Sequence, residues 1–317
     1  MRPTVVQRDA APSNPPAANP TRGLDDYARA CQRVDQPVIR CAGSWWREVR
    51  PCFFRPLLPY LDQPAGPAHL PFRAIFGGCQ YPARVDGEPP NSVFEYIAFP
   101  RAQEYSIKQL RHSHRSEVRS AEKRFVIGRI RDEEEFKARA HSIYLEFRAR
   151  TRYDYLDGRV RKPVFDRWVE AEFSDPGLIA LGAWSAGDLL AVALSRIVGH
   201  AWLYSSFFAS DEGLRGHVAG LMLHHVRSLA ATEPGVTMVF GGAKKAAAVG
   251  ASVDAFYLHR GAALATRATV LQINPLAKWA LMRFRPEVWA RLSGIATAER
   301  RDERTLVKTG GHARTPD

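Results

Sequence analysis

Cysteine is scarce in this chain, four residues in all, and Cys31, Cys41, Cys52 and Cys79 fall in its first quarter. Their spacings match no zinc or redox pattern, so they read as buried or incidental thiols, and no metal site is expected. Long apolar runs are missing: none approaches the roughly 18 residues of a membrane-spanning helix. The opening segment MRPTVVQRDAAPSNPPAANPTRG lacks the apolar stretch of a secretory signal, which predicts a cytoplasmic protein with no membrane span. Nucleotide fingerprints are absent too. The pairs Gly77-Gly78 and Gly241-Gly242 belong to neither GxGxxG nor GKS/T. Acids are outnumbered, 33 against 45 Lys and Arg, for a net charge of +12 over 317 residues. With 45% apolar residues the chain can bury a core, which excludes a disordered or fibrous class. The charge points to a polyanionic partner: a phosphate-rich cofactor, RNA, DNA or an acidic membrane surface.

Proline divides the sequence. Sixteen of its 22 prolines lie within positions 1–100, and only six in the 217 that follow. Residues 1–24 read as a disordered leader, and 25–105 as an irregular, proline-rich N-terminal subdomain of short strands and loops whose aromatics, Trp45, Trp46, Phe53, Phe54 and Tyr60, suit core and interface. The basic stretch SIKQLRHSHRSEVRSAEKR (106–124) is compatible with a helix. From Arg101 to Arg131 nine Lys or Arg face three Glu, a net +6 that is half of the excess. A strand (125–130), a helix with three acids at its first turn (132–151) and a short helix (164–173) follow. Three apolar runs, 178–184, 188–198 and 201–209, are separated by Ala186-Gly187 and Gly199-His200, the turn chemistry of an antiparallel meander. SDEGLRGHVAG then leads into a helix, followed by a strand (236–242), a helix ending near Gly261 and a strand (266–275). Residues 295–317 read as a mobile tail.

This order resembles the GNAT superfamily of N-acyltransferases, and within it the Fem-type peptidyltransferases and Fem-like acetyltransferases. The carrying residues are the LRHSHRSEVRSAEK helix, the LGAWSAGDLLAVALSRIVGHAWLYSSFFA meander and the FYLHRGAAL…LQINPL ending. The resemblance implies an α/β (α+β) fold with a mixed, mostly antiparallel central sheet flanked by helices, in an acyltransferase domain over 106–294. It leaves open whether 25–105 is a degenerate first GNAT half. GNAT proteins carry Gln or Arg, two residues, Gly, one residue, then Gly or Ala, in a loop whose helix amides bind a carrier's pyrophosphate. Here Arg215-Gly216-His217-Val218-Ala219-Gly220 matches at Arg215 and Gly220 and departs at Val218. Fem-type enzymes use aminoacyl-tRNA, and RNA would answer the concentrated positive charge. Arg111, Arg115 and Arg119, at steps of four, then form either an anion-binding face or a solvated one.

Acyl transfer to an amine needs a base, donors for the developing oxyanion and a proton for the leaving group. No Ser-His-Asp or Cys-His constellation supports a covalent acyl-enzyme, so direct transfer is expected. The resemblance places Tyr204, Ser205 and Ser206, with Gly241, Gly242 and Lys244, around the reacting atoms. It makes Tyr257 a candidate general acid, with Asp254 and His259 as possible bases. Tyr204 and Tyr257 also read as amphipathic core residues, His224 and His225 as packing residues, and Arg152, Tyr153, Asp154 and Tyr155 as an acceptor wall or a helix-end loop. The expected activity is transfer of an acyl or aminoacyl group from acyl-CoA or aminoacyl-tRNA, with no tightly bound cofactor, to an amine-bearing small molecule or peptide. Two rivals remain: a non-catalytic nucleic-acid-binding or interaction protein, and a biosynthetic acyltransferase fed by an acidic acyl carrier protein.

Overall fold

The computed structural model describes residues 23–34, 36–61, 70–84, 87–151, 158–244 and 247–293. The leader up to residue 22, the cluster Arg152 to Tyr155 and the tail 295–317 lie outside the described residues.

The proline-rich part begins with α1 (Leu24–Arg33) and supplies β1 (Val38–Cys41), β2 (Ser44–Arg50), β3 (Phe53–Pro56), β4 (Gly78–Pro82) and β5 (Ser92–Pro100). Then follow α2 (His112–Glu122), β6 (Val126–Arg129), α3 (Glu133–Thr151) and α4 (Lys162–Phe173). The meander is β7 (Ile179–Ser185), β8 (Asp188–Val198) and β9 (Ala201–Ala209). Beyond it lie α5 (Asp211–Arg215), α6 (Val218–Thr232), β10 (Met238–Ala243), α7 (Ala247–His259), β11 (Ala263–Ile273), α8 (Pro275–Phe284) and α9 (Pro286–Ser293). No described helix is long and apolar enough to cross a membrane.

All the strands join one sheet in the order β1-β2-β3-β4-β11-β5-β10-β9-β8-β7-β6, antiparallel except at β3–β4 and β9–β10. The mixed, mostly antiparallel sheet expected from the sequence is therefore present. It runs without a break across position 105, because β5 is held between β11 and β10. The meander forms because Ala186 (φ 51°) and Gly187 (φ 91°) supply the positive φ pair of a tight hairpin, and Gly199 (φ 60°) turns the next one.

Helices cover both faces. On one, α6 buries Val218, Leu221, Met222 and Val226 against Leu181, Ala193 and Trp202, with Val118 and Ala121 of α2 beside them. On the other, α3 and α4 bury Phe136, Tyr144, Phe165 and Trp168 against Val192, Leu194 and Phe208, and α1 covers Val198, Ala201 and Leu203. Phe136 is ringed by Phe165, Trp168, Phe173 and Phe208 at 5.3–6.4 Å, edge-on or stacked as aromatic quadrupoles prefer.

Several elements differ from the sequence reading, α1 among them, which lies where short strands and loops were expected. The basic stretch 106–124 is helical only from His112: Ser106 caps a single 3-10 turn at 107–109, and Arg111, at ψ 153°, stands outside the helix. Val218 to Gly220 belong to α6 rather than to the preceding loop. The sequence reading contains neither α8 nor α9. Pro275 and Pro286 look like breakers, yet they occupy first-turn positions where a missing N–H costs nothing. Asn274 caps α8 by accepting from the amides of Leu276 (2.9 Å) and Ala277 (3.4 Å).

Candidate functional site

The parallel pair β9–β10 is short. Its register runs Met238↔Ala201, Val239↔Trp202 and Phe240↔Leu203, then ends. Both strands bulge at that point. In β9 the register against β8 slips between Leu194 and Ser195, leaving Ser205 as the extra residue, with its hydroxyl donating to the Leu194 carbonyl at 2.8 Å. In β10 the register against β5 slips between Phe240 and Gly242, and Gly242 takes φ 115°. Bulges bend strands and break ladders, so the pair splays. A cavity of about 460 Å³ opens in the gap, lined by Tyr204, Ser205, Ser206 and Gly241 of the strands and Val253 and Tyr257 of α7. It extends toward α1, α3 and α4, where Tyr27, Tyr144 and Trp168 line it.

Two of the tyrosines singled out in the sequence meet here. The rings of Tyr204 and Tyr257 lie 6.4 Å apart at 72°, and Phe99 stands edge-on to Tyr257 at 5.9 Å. Both are buried. Burial, reinforced by Tyr257, holds the Tyr204 phenol well above its ordinary pKa, so it keeps its proton across the neutral range. Ser206 also lines the cavity, whereas Asp254 and His259 do not. Lys244 is turned to Glu95 at 2.7 Å.

The connection from β9 to α6 is built as a cap on a cap. Ser210 caps α5 by accepting from the Gly213 amide at 3.0 Å. The chain then reverses at His217 (φ 65°) to start α6. The Gly216 amide donates to the carbonyls of Glu212 and Gly213, His217 to Leu214, and Gly220 back to His217. The amides of Val218 and Ala219 have no such partner among the described residues. Unpaired amides at the positive end of a helix are groups of the kind that bind anions. Arg215 and His217 stand exposed beside them, while the Val218 side chain is fully buried in the core and leaves the backbone open. The departure from the glycine pattern at Val218 thus costs the loop nothing.

A second concavity, of about 390 Å³, is lined by Lys108, His112, Arg115, Ser116 and Arg119. Arg115 donates to the Lys108 carbonyl at 3.1 Å. The acids of α2 point elsewhere: Glu117 pairs with Arg260 (2.8 Å) and His114 (3.3 Å), and Glu122 approaches His224. Arg115 and Arg119 therefore share a basic groove, with Lys108 and His112 in the place the sequence reading gave to Arg111.

Several polar groups were not foreseen. Arg196, in the apolar run DLLAVALSRIV, is buried and paired with both Asp175 and Glu172; a charge inside such a run was the available signal. Glu172 reaches the cavity with both oxygens engaged, one by Arg196 and the other by the Trp168 indole at 2.7 Å. Arg227 lies over Tyr105 at 3.7 Å and Phe99 at 4.4 Å and donates to the Arg260 carbonyl at 2.8 Å. Burial pulls its pKa down to about 10, still cationic at neutral pH. His224, read from the sequence as a packing residue, is bonded to the Tyr105 hydroxyl at 2.9 Å and held below its ordinary pKa by burial.

No protein-family model matches the sequence, and no curated protein sequence matches it significantly. Solved structures do match the fold. FemX shares 12% identity at a TM-score of 0.55, covering 86% of this chain and 96% of that one. The C-terminal domain assigned to a lysylphosphatidylglycerol synthetase of Agrobacterium fabrum shares 11% at 0.51, covering 86% and 96%. L-PGS from Bacillus licheniformis shares 10% at 0.50, covering 86% and 95%.

Proposed function

We propose that a chain with this Fem-like GNAT fold is an N-acyltransferase that moves an acyl or aminoacyl group directly from a phosphate-bearing carrier to an amine. One observation carries the reading: the β9–β10 splay opens a cavity lined by the last residues of β9, and the connection that follows, through α5 to the start of α6, leaves two amides without a backbone partner among the described residues. A carrier whose phosphates rest on Val218 and Ala219, beside Arg215 and His217, reaches the gap between Tyr204, Ser206 and Gly241 with its acyl end. The amine nitrogen forms the new C–N bond as the carrier's C–O or C–S bond breaks. The proton lost by nitrogen ends on the leaving oxygen or sulfur, with Tyr257 as the relay and Tyr204 a donor to the carbonyl oxygen. Glu172 is the carboxylate of the described lining, and it is already saturated. The acceptor therefore enters as the free amine.

The basic groove of Lys108, Arg115 and Arg119 favours an aminoacyl-tRNA over acyl-CoA as donor, because a nucleic acid presents phosphates beyond those the loop holds. Calorimetric titration with acetyl-CoA, longer acyl-CoAs and charged tRNA tests this. Binding of charged tRNA supports the reading as stated, and binding of CoA alone reassigns the donor. Salt-sensitive RNA binding that survives Arg215→Ala and gives no transfer would leave a non-catalytic protein. Response to an acidic carrier protein alone would select that donor instead, and no response to any of them removes the enzyme reading.

A further inference from the structure

On the sheet face opposite α6, the cavity ends against α1 and β2, where Tyr27 and Cys31 meet Arg47. The strand puts Arg47 there, in register with Val38 of β1 and Arg55 of β3. One terminal nitrogen of its guanidinium donates to the Tyr27 hydroxyl at 3.5 Å and to Cys31 Sγ at 3.6 Å, both long and both to neutral groups. Its Nε is buried with no hydrogen-bond partner. Among the described residues no carboxylate forms an ion pair with it. Arg196, lining the same cavity, is by contrast neutralised by Asp175 and Glu172. Arg47 is half-buried, and a guanidinium drawn out of water without a counter-charge is destabilising, a cost that a ligand's anion would offset.

We propose that Arg47 binds the carboxylate of the acceptor, so that the amine receiving the acyl group is an amino acid. Arg47 lines the cavity, its guanidinium is of the kind that pairs with the two oxygens of a carboxylate, and the Tyr27 hydroxyl stands beside it. A cavity of about 460 Å³ holds a molecule of that size. The cluster of Arg196, Glu172 and Asp175 carries one net negative charge, which opposes a phosphate dianion more than a carboxylate. With its carboxylate at Arg47, the acceptor extends along the cavity toward Tyr204, Ser206 and Gly241, where its amine meets the donor. The amine end of this assignment rests on the acyltransferase reading. The carboxylate site does not.

Titration calorimetry of the full chain without donor, using the twenty free L-amino acids and their C-terminal amides, tests the site. At least one free acid is expected to bind, with its amide at least tenfold weaker, and Arg47→Met is expected to abolish that difference. The variant should melt at the same temperature as the unsubstituted protein or higher, since a half-buried cation without a carboxylate partner among the described residues has been removed. If no acid binds better than its amide, or Arg47→Met keeps the preference, the proposal is overturned. A variant that melts several degrees lower, with no acid preference in the unsubstituted protein, makes Arg47 a structural residue. Binding of inorganic phosphate or O-phosphoethanolamine in place of any amino acid overturns the carboxylate assignment. The donor titrations are separate, so the acyltransferase reading and this site fail independently.

Discussion

The ring of Phe125 occupies the space that a Cβ on Gly216 would need. Gly216 has φ −84° and ψ 7°, a conformation open to any residue, so it is a glycine for want of room. Gly216→Ala should push Phe125 out of the core and cost about 1–3 kcal/mol, the usual range for overpacking. At Gly220 the nearest atoms to an added Cβ are in the Arg260 guanidinium, at 3.7–3.8 Å, an ordinary contact. Gly220→Ala should instead stabilise by about 0.5–1 kcal/mol by removing backbone freedom from a helix. Thermal melts of the two variants should move in opposite directions.

The edge-on pair Tyr204 and Tyr257 makes a prediction about rate. If Tyr257 relays the proton to the leaving group, Tyr257→Phe should lower turnover by roughly 10²-fold or more, the scale of general acid catalysis, while donor affinity stays within a few-fold. Burial raises the Tyr204 pKa, so no descending limb from this phenol belongs in the neutral pH-rate profile. The limb expected is an ascending one that follows deprotonation of the acceptor amine, above neutral pH. Single-turnover rates from pH 6 to 10 measure it, and a bell centred below pH 7 would contradict it.

Much of this architecture was legible in the sequence because its signals were local. Ala186-Gly187 and Gly199 fix the meander turns, and the three acids opening α3 mark its start. The cavity was legible only in part. Tyr204, Ser206 and Tyr257 were reached through the order of elements, but the splay depends on two bulges, and nothing in YSSF or VFGG announces a register slip. Arg47 was missed for another reason. In SWWREVR it looks like the polar face of an edge strand, and only the packing of α1 above β2 turns it into a cavity wall. Asp175 and Arg196 are 21 residues apart, a pairing that follows from how α4 leads into the meander rather than from any spacing rule.

That pair sets a stability test. Arg196 and Asp175 are 4% and 1% exposed, and Asp175 also accepts the Gly177 amide at 2.8 Å, which shapes the turn into β7. Asp175→Ala removes half of the counter-charge of a buried guanidinium and orphans that amide. A loss of about 3–5 kcal/mol is expected, the range for breaking one side of a buried ion pair. Urea denaturation should show it as a lower midpoint with an unchanged slope.

Alkaline stability follows from burial. The Cys79 thiol is pushed from 9.0 up to about 12, chiefly by burial and further by Glu88, and the Tyr27 phenol from 10.0 up to about 12, chiefly by burial and further by Cys31. Between the ordinary and raised values the unfolded chain has released these protons and the folded chain has not, so stability falls as pH rises. The melting temperature should hold up to about pH 9 and drop progressively from pH 9 to 12. With Cys79→Ala as the reference, the drop should be shallower, since the Cys31 thiol, also raised from 9.0 by burial, still contributes from that pH upward.

The basic groove separates the donors by salt. Arg115 lines it partly exposed and Arg119 exposed, so replacing both with Ala should leave the melting temperature within about a degree. If the groove holds RNA phosphates, each lost contact removes roughly 0.7–0.9 from the slope of log affinity against log salt. The double variant should then bind charged tRNA with a slope shallower by about 1.5 and, at low salt, an affinity lower by about ten- to a hundredfold. Arg215→Ala should weaken binding of any carrier, because Arg215 stands beside the free amides of Val218 and Ala219. Filter binding from 50 to 300 mM salt reads both effects. A slope unchanged by the Arg115 and Arg119 replacements would place the RNA elsewhere and leave the loop before α6 as the sole carrier site.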